Sequence, residues 1–249
     1  MTNTPARRGK PTHSTGADRI SVLTQTQQRF LQTFFETQTS EEPFYLSGGT
    51  ALAGYYLEHR YSDDLDFFTR DRGSLEPAFH RERVERAAAA AGVSFQGPER
   101  RGDHVRYVIS GDNDAEHPLL KVELVLDTPP YFGSPRNFSG VFVDDLLAIA
   151  VNKVTALGRE EPKDYVDLYQ IIQSGRYRLE ELIPLAIEKN PGVDALTLAA
   201  DFRRVTRLPD PSGFQGKYMR VPLDWNAIMR FYQEWAGKLF ALFPPRRQE

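Results

Sequence analysis

A pair of aspartates inside an apolar strand is the feature that most limits what this chain can form. Asp64 and Asp66 flank Leu65, and Phe67 and a second phenylalanine follow. Because side chains alternate between the two faces of a strand, the carboxylates share one face while Leu65 and Phe67 enter the core. Neighbouring carboxylates repel each other unless they share a cation, and hard oxygen ligands suit Mg²⁺ or Mn²⁺. The pattern predicts a divalent metal site on one face of this strand.

A glycine turn precedes the aspartates. Tyr45 and Leu46 have the pattern of a strand end, Gly48 and Gly49 form the turn, and a short helix begins near Thr50. Glycines let the backbone approach a phosphate closely, and the first turn of a helix adds N–H donors. We expect this turn to contact the phosphates of a ligand.

A third carboxylate interrupts the apolar strand predicted over Leu119–Leu126. Glu123 lies inside this run, where a charge is costly unless it is paired or binds metal. Lys121 lies on the same face, so the alternative is an exposed edge strand with alternating charges. Asp127, at the strand end, is the substitute if Glu123 does not complete the acidic site.

Basic residues recur farther along the chain. The segment Asp144–Leu157 has helical spacing, with Asp144 as the expected N-cap, and carries Lys153 among apolar residues. The amine of Lys153 must therefore emerge at a polar place, and a triphosphate would be such a place. Arg159 and Lys163, in and after the following loop, can add planar and point-charge phosphate contacts.

Two aspartates open the next predicted helix. Asp164 and Asp167 are three residues apart and share one helix face. Asp164 could orient or deprotonate an acceptor hydroxyl, or it could cap the helix and pair with Arg159. For Asp167 a structural role is favoured.

The joint pattern resembles a known family. GGTAL, a short helix and then RYSDDLDFF are similar to the opening motif of DNA polymerase β-type nucleotidyltransferases, and more narrowly of the AbiEii/AbiGii toxin branch. Lys153, Arg159 and the Lys-Asp-x-x-Asp-Leu pattern that starts at Lys163 resemble the downstream motif of that branch. The resemblance implies an α+β fold: a polymerase β-type nucleotidyltransferase core with a small mixed sheet, followed by a helical C-terminal half.

The activity implied by the resemblance is transfer of a nucleoside monophosphate from an NTP to a hydroxyl, with release of pyrophosphate. Mg²⁺ or Mn²⁺ would be held by Asp64, Asp66 and Glu123. Arg60 and Ser62 would brace the loop that leads to Asp64, called the motif loop below, or would contact phosphate. The implied catalytic residues are Asp64, Asp66, Glu123, Lys153 and Asp164. The implied nucleotide-binding residues are Gly48, Gly49, Thr50, Arg60, Ser62, Lys153, Arg159 and Lys163.

The resemblance also implies a biological role, that of a toxin in a toxin–antitoxin or phage-defence system. A cognate antitoxin protein is then an expected partner, and in some relatives the acceptor is the 3′ end of tRNA. Two alternatives stay open at this point. One is transfer to a protein or small-molecule hydroxyl, and the other is a catalytically silent module that binds nucleotide.

The composition adds limits. The 249 residues include no cysteine, which excludes disulfides and thiolate metal sites. No window is apolar enough to span a bilayer, and the N-terminus lacks an apolar signal core, so we expect a cytoplasmic protein without a membrane partner. The expected organisation is a disordered tail over 1–19, the nucleotidyltransferase core over 20–143 and a helical domain over 144–249.

The net charge of −3 gives no global attraction to nucleic acid. Local arginine clusters can still serve an RNA substrate, although most such clusters are solvated surface. The clusters are Arg81, Arg83 and Arg86; Arg100 and Arg101; Arg203, Arg204 and Arg207; and Arg246 and Arg247.

Overall fold

The computed structural model describes residues 22–38, 44–110, 119–209 and 218–242. The tail expected over 1–19, and Arg246 and Arg247, lie outside these ranges. The strands are β1 (Phe44–Ser47), β2 (Leu65–Thr69), β3 (Ser94–Arg101), β4 (His104–Ser110), β5 (Leu119–Leu126), β6 (Arg136–Phe138) and β7 (Val141–Val143). The helices are α1 (Gln25–Phe35), α2 (Gly48–Ala51, continued as a π-helix over Leu52–Leu57), α3 (Pro77–Ala91), α4 (Leu146–Ala156), α5 (Pro162–Gln173), α6 (Leu179–Lys189), α7 (Ala195–Arg203) and α8 (Trp225–Leu242).

The strands form one mixed sheet in the order β3-β4-β5-β2-β1-β7-β6. Strand β2 occupies its centre, antiparallel to β1 and parallel to β5. This pairing places Asp66 between Ser47 on β1 and Glu123 on β5. Strands from distant parts of the chain thus bring two of the predicted acids into one row.

One face of the sheet is closed by α1 and α3. Phe67 of β2 is fully buried there, with its ring 3.9 Å from that of Phe34 on α1. Helix α1 begins with a capping box between Thr24 and Gln27, and α3 ends at Gly92, whose φ of +71° suits the left-handed C-terminal position. The predicted alternation in β2 is confirmed, since Leu65 and Phe67 are buried while the aspartates face the other side.

The named elements in the described part of the chain after residue 143 are all helices, as the sequence predicts. The predicted N-cap of α4 is wrong by one residue, because Asp145, not Asp144, caps this helix through the amide of Leu147 at 2.9 Å. The Asp144 amide instead donates to Leu46 O at 2.8 Å, which extends the pairing of β7 with β1 and delays the helix. Among the described residues, no helix is long and apolar enough to cross a bilayer.

Candidate active site

The predicted acids face one cavity of about 510 Å³ on the open face of the sheet. Asp66 and Glu123 are direct partners across the parallel ladder, and Asp64 lies immediately before β2. The opposite wall is formed by residues of α4, of the α4–α5 loop and of α5. The residues of this wall are Ile149, Asn152, Lys153, Arg159, Glu161, Lys163 and Asp164.

The raised pKa of Asp66 indicates that this member of the row of acids lacks a counter-ion within the described ranges. Burial, followed by the negative charges of Asp64 and Glu123, raises the pKa of Asp66 from 3.8 to about 6. A charge this unfavourable is relieved by a bound cation. The acidic row therefore has the electrostatic character of a cation site.

Two of the acids form ion pairs with basic side chains. Glu123 Oε1 lies 2.7 Å from Arg106 Nε and 2.6 Å from Arg106 Nη2, and Asp64 Oδ2 lies 3.6 Å from Lys163 Nζ. Within the described ranges, no three acidic or histidine side chains converge into a ready-made metal site. Mg²⁺ commonly binds one or two carboxylates and completes its shell with substrate phosphates and water. The acids fit a metal that arrives with a nucleotide.

The glycine turn is shaped by its neighbours. Gly48 has a φ of +68°, and a Cβ built there would lie 2.1 Å from Asp66 Oδ2. A Cβ at Gly49 would lie 2.3 Å from Arg60 Nη2. Both positions therefore exclude a side chain, because backbone and acid or guanidinium are in direct contact. Thr50 is fully buried, and its Oγ1 donates to the carbonyl of Asp64, so its hydroxyl fixes the motif loop.

Arg60 belongs to a buried ionic network below the cavity. Asp167, which is completely buried, accepts from Arg60 Nε at 2.6 Å and Nη2 at 2.7 Å, and pairs with His59 Nε2 at 2.8 Å. Lys153 Nζ lies 2.7 Å from Asp167 Oδ2 and 2.6 Å from Asp164 Oδ1. Burial alone would raise the pKa of Asp167, but Arg60 and Lys153 hold it well below its ordinary value.

The four predicted basic residues thus occupy different environments. The side chains of Arg60 and Lys153 are 5% and 7% exposed and are neutralised by aspartates, although both border the cavity. Arg159 and Lys163 are 69% and 42% exposed. These two have guanidinium and ammonium groups available to an anionic ligand. Asp164 Oδ2 lies 3.7 Å from Arg159 Nε, and Asp64 Oδ2 lies 3.6 Å from Lys163 Nζ.

The remaining candidates are placed as follows. Ser62 lines the cavity, and its backbone carbonyl accepts from Gln27 Nε2 at 2.6 Å, which ties the motif loop to α1. Asp127, the substitute for Glu123, is absent from the cavity lining. It accepts from Tyr45 Oη at 2.6 Å and from Lys189 Nζ at 2.8 Å. The geometry favours Glu123.

Sequence reasoning missed Arg106 and His104 of β4, which line the cavity together with Phe68 of β2. Val105 is buried while its neighbours His104 and Arg106 are exposed, so the alternation in β4 does carry a signal for which residues share a face. The pairing of Arg106 with Glu123 depends on the register of β4 with β5, which the alternation does not specify.

Similar solved structures support the fold. JHP933 from Helicobacter pylori superposes with a TM-score of 0.51 at 18% identity, covering 87% of this chain and 89% of that one. A second H. pylori chain, assigned provisionally as a nucleotidyltransferase, gives a TM-score of 0.52 at 18% identity, covering 90% and 96%. An uncharacterized Aquifex aeolicus protein, aq_aa25, is 27% identical over 154 residues, which are 61% of this chain and 68% of that protein.

A family model supplies the assignment. The model described as nucleotidyl transferase AbiEii toxin, type IV toxin–antitoxin system, matches residues 29–234, which include every predicted site residue. The predicted fold class and the predicted family are both confirmed. This chain belongs to the AbiEii nucleotidyl transferase toxin family and is a nucleotidyltransferase.

Proposed function

We propose that this enzyme is a metal-dependent toxin that transfers a nucleoside monophosphate from an NTP to a hydroxyl of RNA, such as the 3′ end of tRNA. The observation that carries the proposal is the row formed by Asp66 and Glu123, with Asp64 beside it, next to the glycine turn in one cavity. The family description supports the toxin role. Three basic side chains, Arg101, Arg106 and Lys121, lie on the side of the acids away from the glycine turn and support an anionic acceptor.

The triphosphate would lie over the glycine turn. Gly48 and Gly49 line the cavity with backbone alone, and the backbone of Thr50 continues the turn. Lys163 and Arg159 face this side of the cavity and can neutralise phosphate charge. Arg60, Ser62 and Lys153 border the same side, and we assign Arg60 and Lys153 mainly to holding the loop and α4 in place, since aspartates already pair with them.

Asp64, Asp66 and Glu123 would hold Mg²⁺ or Mn²⁺. When bound, a divalent cation supplies Lewis acidity to phosphate and acceptor oxygens. The acceptor oxygen forms a bond to the α-phosphorus, the bond from that phosphorus to the β-phosphate oxygen breaks, and pyrophosphate leaves. Glu123 faces the acceptor side and is the residue we propose to help remove the hydroxyl proton. Asp164, which is held by Lys153, would orient the acceptor hydroxyl.

Two further proposals follow from the family description. A toxin of a type IV system is expected to have a cognate antitoxin protein as its partner. Its proposed substrates, NTPs and tRNA, are found in the cytoplasm, so we propose that the protein acts there.

The test is incubation of the purified protein with total tRNA, Mg²⁺ and each α-³²P-labelled NTP. We expect label on tRNA with at least one NTP, and none with Asp66→Ala. Asp103→Ala is the matched control, because this exposed carboxylate of the β3–β4 turn pairs with Arg72 away from the cavity. Label on protein or on a small molecule such as an aminoglycoside would replace the RNA acceptor. NTP binding without pyrophosphate release in any acceptor pool would indicate a silent binding module.

A further inference from the structure

The open face of the sheet continues beyond the acids. A second hollow of about 220 Å³ is lined by Glu99, Arg101, His104, Arg106 and Glu123. The last three of these residues also line the main cavity, so the two hollows form one groove that runs from the acids across β4 to β3. This groove is not used by any role assigned above to the triphosphate.

Strand order separates the two sides of the acidic row. Strand β1 and its glycine turn lie on one side of β2, and β5, β4 and β3 lie on the other. In phosphoryl and nucleotidyl transfer the attacking and leaving oxygens are roughly in line. A triphosphate held at the glycine turn therefore requires the acceptor to arrive from the side of β5, along the groove.

The side chains of the groove suit a polyanionic acceptor. Arg101 and Lys121 are exposed on this face, and Arg106 is 49% exposed beside Glu123. Across the β3–β4 ladder Arg101 lies opposite His104, and Arg106 lies opposite Glu99. The two arginines are therefore diagonal neighbours, with Cα atoms about 7–8 Å apart. Such a pair can contact consecutive phosphates of one strand, with Phe68 and Val125 as an apolar floor beside them.

Arg106 also connects the acceptor to the acidic row. Its guanidinium is bound to Glu123 Oε1 at 2.6–2.7 Å. A divalent cation bound to Glu123 competes with this ion pair, because it neutralises the carboxylate charge that holds the guanidinium. The planar guanidinium is then free to bind a phosphate through two parallel hydrogen bonds.

We propose that the β3–β5 groove binds the 3′-terminal nucleotides of a single-stranded RNA acceptor, and that Arg106, once released by Glu123, binds an acceptor phosphate together with Arg101. The acceptor class rests on the proposed function. The groove and the exchange at Arg106 rest on the strand order, the cavities and the ion pair.

The test measures binding without turnover. The probe is a 5′-fluorescein single-stranded RNA dodecamer with a free 3′ hydroxyl, and the readout is fluorescence anisotropy of the full chain in EDTA and no NTP, over a range of salt concentrations. The variants are Arg106→Gln, Arg101→Gln, Glu123→Gln and the double variant Glu123→Gln/Arg106→Gln. The matched control is Arg100→Gln, because Arg100 alternates to the opposite face and pairs with Glu76 at 2.9 Å.

We expect Glu123→Gln to bind the RNA more tightly than the unmodified protein, because it frees Arg106 without a metal. In that background, loss of Arg106 should weaken binding about tenfold and reduce the salt slope by about 0.7. Arg101→Gln should weaken binding in the same way, and Arg100→Gln should leave it unchanged.

Three outcomes overturn the proposal. They are no binding of the probe by Glu123→Gln, a loss in Arg100→Gln equal to the loss in Arg101→Gln, and a gain in Glu123→Gln that persists when Arg106 is also replaced, which would reflect general charge. Binding of a fluorescent NTP analogue is measured in parallel and should be unchanged in Arg106→Gln. Failure of nucleotide transfer with intact Arg106-dependent RNA binding would count against the proposed function and leave the groove standing.

Discussion

Replacement of Asp167 tests whether the buried ionic network holds the motif loop. Asp167 is completely buried and is shared by Arg60, His59 and Lys153. In Asp167→Asn, one carboxylate oxygen becomes an amide nitrogen that faces donors, so Arg60 keeps at most one of its two bonds to this side chain beside its bond to the Tyr61 carbonyl at 2.8 Å. A buried cation is thereby left without its counter-ion, which is far more costly than loss of an exposed pair.

The expected loss is about 3–5 kcal/mol of the free energy of unfolding, the range for breaking a buried ion pair from one side. In a chain of this size each kcal/mol corresponds to about 2–4 °C, so the Tm should fall by about 6–20 °C. The pKa of Asp167 lies well below its ordinary value. Its contribution is therefore complete at pH 7, above the unfolded-state pKa, and is lost only as the pH falls below about 4.

The assay is urea unfolding at pH 7 followed by tryptophan fluorescence, with calorimetry for the Tm. Asp103→Asn is the control, because its pair with Arg72 has side chains 38% and 64% exposed and should be worth less than about 1 kcal/mol. A loss below about 1 kcal/mol in Asp167→Asn would refute the reasoning, since it would mean that Arg60 and Lys153 find other partners at no cost.

Three other changes separate chemistry from stability. Gly48→Ala places a methyl group against Asp66, so transfer activity should fall at least about 100-fold, whereas Gly92→Ala, with φ +71° and open space around it, should cost only about 1 kcal/mol of stability and no activity. Lys163→Gln should raise the Kd for NTP about tenfold in a binding titration and leave the urea midpoint unchanged, because this side chain is 42% exposed. Burial raises the pKa of Asp144 to about 7, so stability falls as the pH rises through that value; Asp144→Asn should gain about 3 kcal/mol relative to the unmodified protein between pH 5 and pH 8 in urea unfolding. An equal effect of pH on both proteins would contradict the last prediction.

Local patterns predicted strand β5 and the alternation within β2 well. Strand β5 was predicted with its observed bounds, because alternation and β-branched content are properties of consecutive residues. Strand β6 was not predicted, because three residues are too few to show a period. The N-cap of α4 was predicted one residue too early. The Asp144 amide donates to Leu46 of β1, and this contact with a strand distant in sequence has no local signal.

The partner of Lys153 could not be predicted from the sequence around it. The prediction that its amine must reach a polar place is consistent with the structure, since Nζ lies 2.6 Å from Asp164 and 2.7 Å from Asp167. An apolar helix with one lysine does not specify whether the polar partner is a ligand or an internal carboxylate. The choice depends on the packing of α4 against α5, a tertiary property.

The helical half forms one wall of the candidate active site. Arg60 begins the loop that carries Asp64, and its guanidinium is fixed by Asp167 on α5, 107 residues later. The hydroxyl of Ser47, beside the glycine turn, donates to Asp144 at 2.8 Å, just before α4. Because α5 also carries Lys163, the same contacts that hold the acids determine where this cation faces. The arrangement of the acids, the glycine turn and Lys163 therefore depends on buried contacts between the sheet and the helices, and a fragment that ends at β7 would lack the counter-ion that fixes Arg60.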